Sequence, residues 1–374
     1  MSCIYIHIPF CKTRCIYCDF FSTTQLELSE QYVDAVCKEI ELSNRYLDKD
    51  ELHSIYFGGG TPSQLTASQI GRILNAIQVH HPIVKNCETT IELNPDDVTD
   101  EYVANLRSLP INRVSLGIQT FNEDTLRFIH RRHTSQQAID AVRRLQKNGF
   151  NNISIDLMFG FPNETLEDWQ TDIERALQLD IQHISAYSLM YEEGTELYRL
   201  LTSQQIHEID EDLSRNMYQI LIEQLTDAGF EHYEISNFAK PGFYSRHNSS
   251  YWNDIKYLGI GAGAHSYNGV SRQSNISNLK AYIDGIHQGM PKFETEMLTP
   301  DQQYNETVMT RLRTNKGLDT DTIKERFGTD YYKHLMTAAT PYYNIGLLKY
   351  EGHHLVLTRK GIYTSNDIIS SLFI

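Results

Sequence analysis

The amino-acid sequence predicts an α/β fold: a parallel sheet of six βα units, closed or partly closed into a barrel, followed by an accessory region and a small helical unit. Two patterns carry that expectation. Short, β-branched apolar runs alternate six times with stretches of helical periodicity, the signature of parallel strands joined by helical crossovers. After about residue 200 the alternation stops and glycine, serine and asparagine gather, which marks a change of architecture. With 374 residues, 40% of them hydrophobic and 22% charged, the chain has the length for two or three domains and the apolar content for a sizeable core.

The expected strands are residues 3–8, 53–57, 89–93, 113–118, 153–158 and 183–189. Helical patterns fill the gaps at 30–46, 67–80, 101–108, 135–148 and 165–179. Thr66 and Thr134 read as N-caps, and Gly149 stands where a helix would stop. Residues 213–228 read as a long helix and 230–238 as a strand, and 241–278 is a glycine-, serine- and asparagine-rich stretch. Beyond 301, helices are expected at 318–327 and 331–348, with a hairpin at 349–358 around Gly352. The expected division is a core barrel at 1–200, an accessory region at 201–300 and a C-terminal helical domain at 301–374, the last resembling a winged helix.

Charge and cysteine usage narrow the function. Thirty-three basic residues against 48 acidic ones leave a net charge of −15, which argues against nucleic acid as a partner. The C-terminal unit holds nine Lys/Arg against eight Asp/Glu, too balanced for a DNA-binding face. No apolar run approaches the ~18 residues of a membrane span. Composition leaves peripheral membrane contact open, with no basic cluster to recommend it. The N-terminal segment lacks a basic n-region. Six cysteines in so long a chain do not make a disulfide framework. A reduced, cytoplasmic setting and a metal site are the expectation.

The strongest chemical signal is Cys11-Lys-Thr-Arg-Cys15-Ile-Tyr-Cys18, a C-x3-C-x2-C loop directly after the first strand. Three thiolates on one tight loop suit three irons of a [4Fe–4S] cluster, leaving the fourth iron open to an exchangeable ligand. Structural zinc is the alternative. It normally wants four ligands, and His7 is the nearby candidate for the fourth. Tyr17 sits inside the loop and Phe20 beside it, placed to shield a cluster from water or stack on an adenine, or simply to pack the loop. Gly58-Gly59-Gly60-Thr61-Pro62 follows the second strand, and three glycines let backbone approach a ligand closely. Glu92, Gln119 and Asp156 stand at or near the ends of strands three, four and five. The carboxyl ends of parallel strands are where active sites form, so these groups converge on one face.

Together these motifs resemble the radical S-adenosylmethionine (SAM) superfamily. Tyr5-Ile-His-Ile-Pro-Phe-Cys11, Glu92, Gln119-x-Phe, Arg131 twelve residues after Gln119, and Ile-Asp156-Leu resemble its oxygen-independent coproporphyrinogen III oxidase group over nearly the whole chain. The resemblance implies a partial (β/α)6 TIM-type barrel, with a [4Fe–4S] cluster on Cys11, Cys15 and Cys18. It implies SAM held by Tyr5, Tyr17, Gly59, Gly60, Thr61, Glu92, Gln119, Arg131 and Asp156. One electron from the reduced cluster would cleave SAM to a 5′-deoxyadenosyl radical.

Two branches of that group differ at readable positions. The coproporphyrinogen III dehydrogenase branch carries a further cysteine two residues after the third and a longer segment ahead of the cluster. Here position 20 is Phe, and only ten residues precede Cys11. His247-Asn-Ser-Ser-Tyr-Trp252 is similar to the H-N-x-x-Y-W motif of the heme chaperone branch. That branch implies heme and heme-acceptor proteins as partners, His247 as heme ligand with Tyr251 and Trp252 packing on the macrocycle, and a monomer or a cluster-linked dimer. Propionate decarboxylation of coproporphyrinogen III is the alternative. Gly259-Ile-Gly261-Ala-Gly263-Ala264 mimics a dinucleotide fingerprint, but the residues after Ala264 are turn-like rather than helical, so a packing loop is expected. His265 beside it is a weaker heme-ligand candidate.

Overall fold

A computed structural model describes residues 1–374. Six strands, β1 (Ser2–Ile8), β2 (Leu52–Gly59), β3 (Ile83–Leu93), β4 (Arg113–Gln119), β5 (Ile153–Phe159) and β6 (His183–Ser188), run parallel and lie side by side in chain order. Each crossover therefore advances by one strand in the same direction, as in a barrel, instead of reversing at a switch point. Closure does not occur. β9 (Lys256–Ile260) adds parallel to β1, and β10 (His265–Tyr267), β11 (Ser271–Asn275) and β12 (Phe293–Met297) extend that edge antiparallel. At the other edge the hairpin β7 (Glu231–Glu234) and β8 (Asn237–Ala239) pairs onto β6. The result is one open sheet of 12 strands.

The crossover helices α1 (Ser29–Leu42), α2 (Ala67–His80), α3 (Asp100–Leu106), α4 (Glu123–Phe128), α5 (Ser135–Lys147) and α6 (Leu166–Leu177) follow the expected order. Thr66, Thr134 and Thr165 close capping boxes at the starts of α2, α5 and α6, each satisfying two otherwise bare amides. Val33, Val36 and Ile40 of α1 and Ile70, Ile73 and Ile77 of α2 share one core with Ile4, Ile6, Ile55, Phe57, Val114, Leu116, Ile155 and Leu157 of the strands. The alternate strand positions are polar: Tyr5, Tyr56, Glu92, Arg113, Ser115, Asp156 and Ser185 line cavities on the inner face. The sheet is thus apolar toward the helices and polar toward the lumen.

The chain between β6 and the C-terminal unit departs from the expectation in two places. Residues 230–238 form the β7–β8 hairpin rather than one strand, because the chain turns between Glu234 and Asn237. The stretch at 241–278 is ordered: it contains α9 (Arg246–Trp252) and three strands, after the short helix α7 (Glu196–Thr202) and the long α8 (Glu211–Asp227). The glycine run there is a packing loop. Gly261 donates its N–H to the buried Glu39 carboxylate at 2.8 Å, Ala262 donates to Tyr32 Oη, and Asn275 bonds both Glu39 and the Gly261 carbonyl. Gly261 holds φ +108°, and a Cβ there would collide with Tyr32 Oη and lie 2.7 Å from the His7 carbonyl.

Helix α10 (Leu279–His287) packs back on α1, bringing Tyr282 Oη to Glu39. The last unit has its own core, formed by Tyr304, Val308, Leu335, Leu355, Ile368 and others. It orders α11 (Pro300–Leu312), β13 (Leu318–Asp319), α12 (Thr320–Phe327), α13 (Thr329–Asn344), β14 (Leu348–Glu351), β15 (His354–Leu357) and α14 (Ser365–Ser371). α13 stops at Asn344, four residues short of the expectation, where the chain turns through Gly346 at φ +75° into β14. Backbone bonds from Ile235 to Arg313 and from Asn315 to Tyr233 tie this unit to the β7–β8 hairpin.

Candidate functional site

The cysteine loop leaves β1 at Pro9 and returns to the sheet through Cys11 N–H donating to the Thr23 carbonyl and Thr23 N–H to the Pro9 carbonyl. Cys11, Cys15 and Cys18 are free thiols that line one cavity of about 460 Å³ at the carboxyl ends of the strands. Cys11 Sγ lies 3.5 Å from Thr61 Oγ1, and Arg131 donates from Nη1 to Cys15 Sγ at 3.6 Å. Burial pushes the Cys11 thiol up and Cys18 up to about 11. Burial thus favours the protonated form of Cys11 and Cys18 until a metal centre displaces the protons. His7 is turned elsewhere: its Nε2 bonds the Phe21 carbonyl at 2.8 Å and its Nδ1 the Tyr5 hydroxyl. It does not line the cavity of the three cysteines, where the zinc alternative needs its fourth ligand.

The glycine turn forms one wall. Gly59 has φ +111°, and a Cβ there would lie 2.6 Å from the His7 ring; a Cβ on Gly60 would lie 2.9 Å from the Pro9 carbonyl oxygen. Only glycine fits these two positions. The Gly59 N–H donates to Glu92 Oε2 at 3.2 Å and the Tyr56 hydroxyl to Oε1 at 2.8 Å. Burial, and secondarily Asp156, still push the Glu92 carboxyl up to about 7. Asp156 accepts from Ser115 at 3.3 Å, and burial raises its carboxyl too. Gln119 sits at a bulge in β4 with φ +72°, a left-handed conformation that is strained for a residue with a side chain and turns its amide into the cavity. Arg131 reaches over from the loop after α4 to Asn94 Oδ1 at 2.8 Å and to the Gly117 carbonyl.

A second cavity, of about 890 Å³, adjoins the first through Tyr56, Glu92, Tyr187 and Asn248. Its walls come from Tyr5, Phe159, Tyr218, α9 and the C-terminal residues Arg313, Tyr363 and Asn366. His247 is 1% exposed. Its Nδ1 faces Ser54 Oγ and its Nε2 faces the Tyr251 hydroxyl, each at 3.0 Å. Its ring stacks on Tyr56 at 4.9 Å between centroids. Glu88 accepts the backbone N–H groups of Arg246 and His247, at 3.1 and 3.0 Å, which fixes the start of α9. Burial, with Arg113 adding to it, lowers His247 to about 3, so the ring is neutral.

Comparison with known proteins points the same way. The model of the Radical SAM superfamily matches residues 5–176, and that of the HemN C-terminal domain matches residues 298–364. The heme chaperone HemW of Bacillus subtilis is 34% identical over 374 residues, covering 99% of both chains. The chain belongs to the HemW family of radical SAM proteins. The Lactococcus lactis HemW is also 34% identical, over 99% of this chain and 97% of its own. The solved Escherichia coli coproporphyrinogen III oxidase HemN has a TM-score of 0.87 at 23% identity, covering all of this chain and 90% of its own, a likeness of fold. A radical SAM domain implies a [4Fe–4S] cluster and SAM.

Within this HemW-family chain the structure brings Cys11, Cys15, Cys18, Tyr17, Gly59, Gly60, Thr61, Glu92, Gln119, Arg131 and Asp156 to one cavity. Tyr5 and His247 line the second cavity instead. His265 lines neither cavity. Sequence reasoning missed Tyr56, Asn94 and Arg113. Arg113 is 1% exposed, lines the first cavity, and its Nε has no hydrogen-bond partner in the protein. The signal for it was the polar half of an alternating strand: a charged residue opening Arg-Val-Ser-Leu-Gly-Ile-Gln.

Proposed function

We propose that this chain is a heme chaperone that binds heme and passes it to acceptor proteins, using a [4Fe–4S] cluster and exchangeable SAM. The observation that carries the reading is the 34% identity to HemW across the full chain. The H-N-x-x-Y-W segment supports it, because four of its six residues wall the larger, aromatic-lined cavity.

The residues present fit the cofactors. Cys11, Cys15 and Cys18 would hold three irons, and Arg131 would stay bonded to Cys15. Backbone carbonyl oxygens of the glycine turn and the Glu92 carboxylate, once its proton is lost, would take an ammonium group. Arg131 suits a carboxylate, and Gln119 and Asp156 suit ribose hydroxyls. Tyr17, in the cavity wall, offers a flat face to an adenine. A reduced cluster supplies one electron to bound SAM. Phe20, 62% exposed at the cavity mouth, stands where the dehydrogenase branch carries its extra cysteine, which favours the chaperone over coproporphyrinogen decarboxylation.

Heme ligation by His247 needs a free ring nitrogen, and both are engaged. The Tyr251 hydroxyl must turn away for Nε2 to reach an iron. The test is an anaerobic heme titration of cluster-reconstituted protein, followed at the Soret band. Wild type should saturate near one heme per chain. His247→Ala should weaken binding about tenfold or more. Tyr251→Phe, which removes the competing hydroxyl and keeps the ring, should retain or raise affinity. Equal heme affinity and spectrum in His247→Ala would remove His247 as the ligand, and no saturation in wild type would overturn the chaperone reading.

A further inference from the structure

Two residues that line the second cavity carry donors that the protein leaves unused. Trp252 Nε1 and Arg313 Nε are both shielded from solvent, and neither has a hydrogen-bond partner. They belong to different units, Trp252 ending α9 and Arg313 following α11, yet they meet: the Arg313 guanidinium lies over the Trp252 ring, 5.6 Å from its centroid. The only side-chain bond Arg313 makes is from Nη1 to Asn366 Oδ1 at 3.2 Å, and no carboxylate is within ion-pair distance. Native proteins rarely leave a shielded donor unpaired.

The acids nearby are otherwise placed. Glu234 accepts from Asn237 and Ser236. Glu211 and Asp367 are exposed. Arg215, the other cation of this cavity, is paired with Asp212 at 2.9 Å. The Arg313 guanidinium, with the Trp252 indole beside it, matches an anionic acceptor with two oxygens. The surrounding wall of Tyr218, Tyr251, Trp252 and Tyr363 matches a flat apolar body.

We propose that Trp252 and Arg313 anchor a carboxylate side arm of the planar ligand in this cavity, so that the C-terminal unit supplies part of the binding site. The proposal rests on the heme-chaperone reading, in which the arm is a heme propionate. His247 lies on the same helix as Trp252, five residues earlier. One end of α9 then faces the ring and the other its acidic edge.

Heme and heme dimethyl ester, whose propionates are blocked, separate the possibilities. Wild-type protein should bind heme about tenfold or more tightly than the ester. Arg313→Gln should bind both with the affinity wild type shows for the ester. Trp252→Phe keeps the aromatic face, removes only the N–H, and should lose a smaller part of the same preference. Thermal unfolding of each variant shows whether the fold survives, and Trp252→Phe carries the test if Arg313→Gln does not. Saturable heme binding with no preference over the ester, or a preference kept in both variants, overturns the anchor and leaves the chaperone reading standing. A wild type that saturates with neither compound overturns both.

Discussion

The Glu92 carboxyl titrates near pH 7 because it is buried beside Asp156, although Tyr56 and Gly59 both donate to it. Unfolded, it titrates near 4.5. The folded chain therefore holds this proton more tightly, and the stability it contributes is full below about pH 4.5 and lost as pH rises through about 7. Glu92→Gln, neutral at every pH, should be more stable than wild type at pH 8 by on the order of 2–3 kcal/mol, with the two converging toward pH 4. Parallel stability–pH curves for the two cofactor-free proteins would refute this. The same residue shows what sequence could reveal. A carboxylate at a strand end is conspicuous, and so are three cysteines in eight residues. The engaged state of His247 was not visible, because Ser54 lies 193 positions away and Tyr251 reads equally well as a ring-packing partner.

At the scale of elements, the helix boundaries were legible where a cap announced them, as at Thr66 and Thr134. The six strands were legible as apolar runs, but β3 begins at Ile83, earlier than expected, because Lys85 and Asn86 hide its start. The strands are also two-faced. Their polar halves line a lumen, so the alternation that looked like isolated exceptions is a continuous polar inner wall. The strands after α9 escaped notice because they are short and three of them, His-Ser-Tyr, Ser-Arg-Gln-Ser-Asn and Phe-Glu-Thr-Glu-Met, carry no apolar run. Their order depends on the long-range cluster of Glu39, Tyr32, Asn275 and Tyr282. Gly261→Ala should therefore destabilise the fold by roughly 2–4 kcal/mol, through the left-handed backbone and the collision with Tyr32. A urea midpoint unchanged from wild type would show that the loop can relax around a methyl group.

At the scale of the molecule, composition marks where the six-fold alternation ends, near residue 200, and the docking of the later segments could not be read from it. The larger cavity exists only because residues from the sheet, from α9 and from the C-terminal unit meet there, and no local pattern encodes that meeting. The first cavity ends where the second begins: Tyr56, Glu92, Tyr187 and Asn248 face both. A wall with two sides cannot move for one occupant without moving for the other. Under the proposed function, the two ligands should therefore influence each other's dissociation constants, and thermodynamic linkage makes the influence reciprocal. Whatever factor SAM applies to heme affinity, heme must apply to SAM affinity. Measured by paired titrations, a factor of about 5–150 in both directions would be energetic conversation across that wall, and a factor of one would mean the shared side chains are rigid. Release of one passenger would then be timed by arrival of the other.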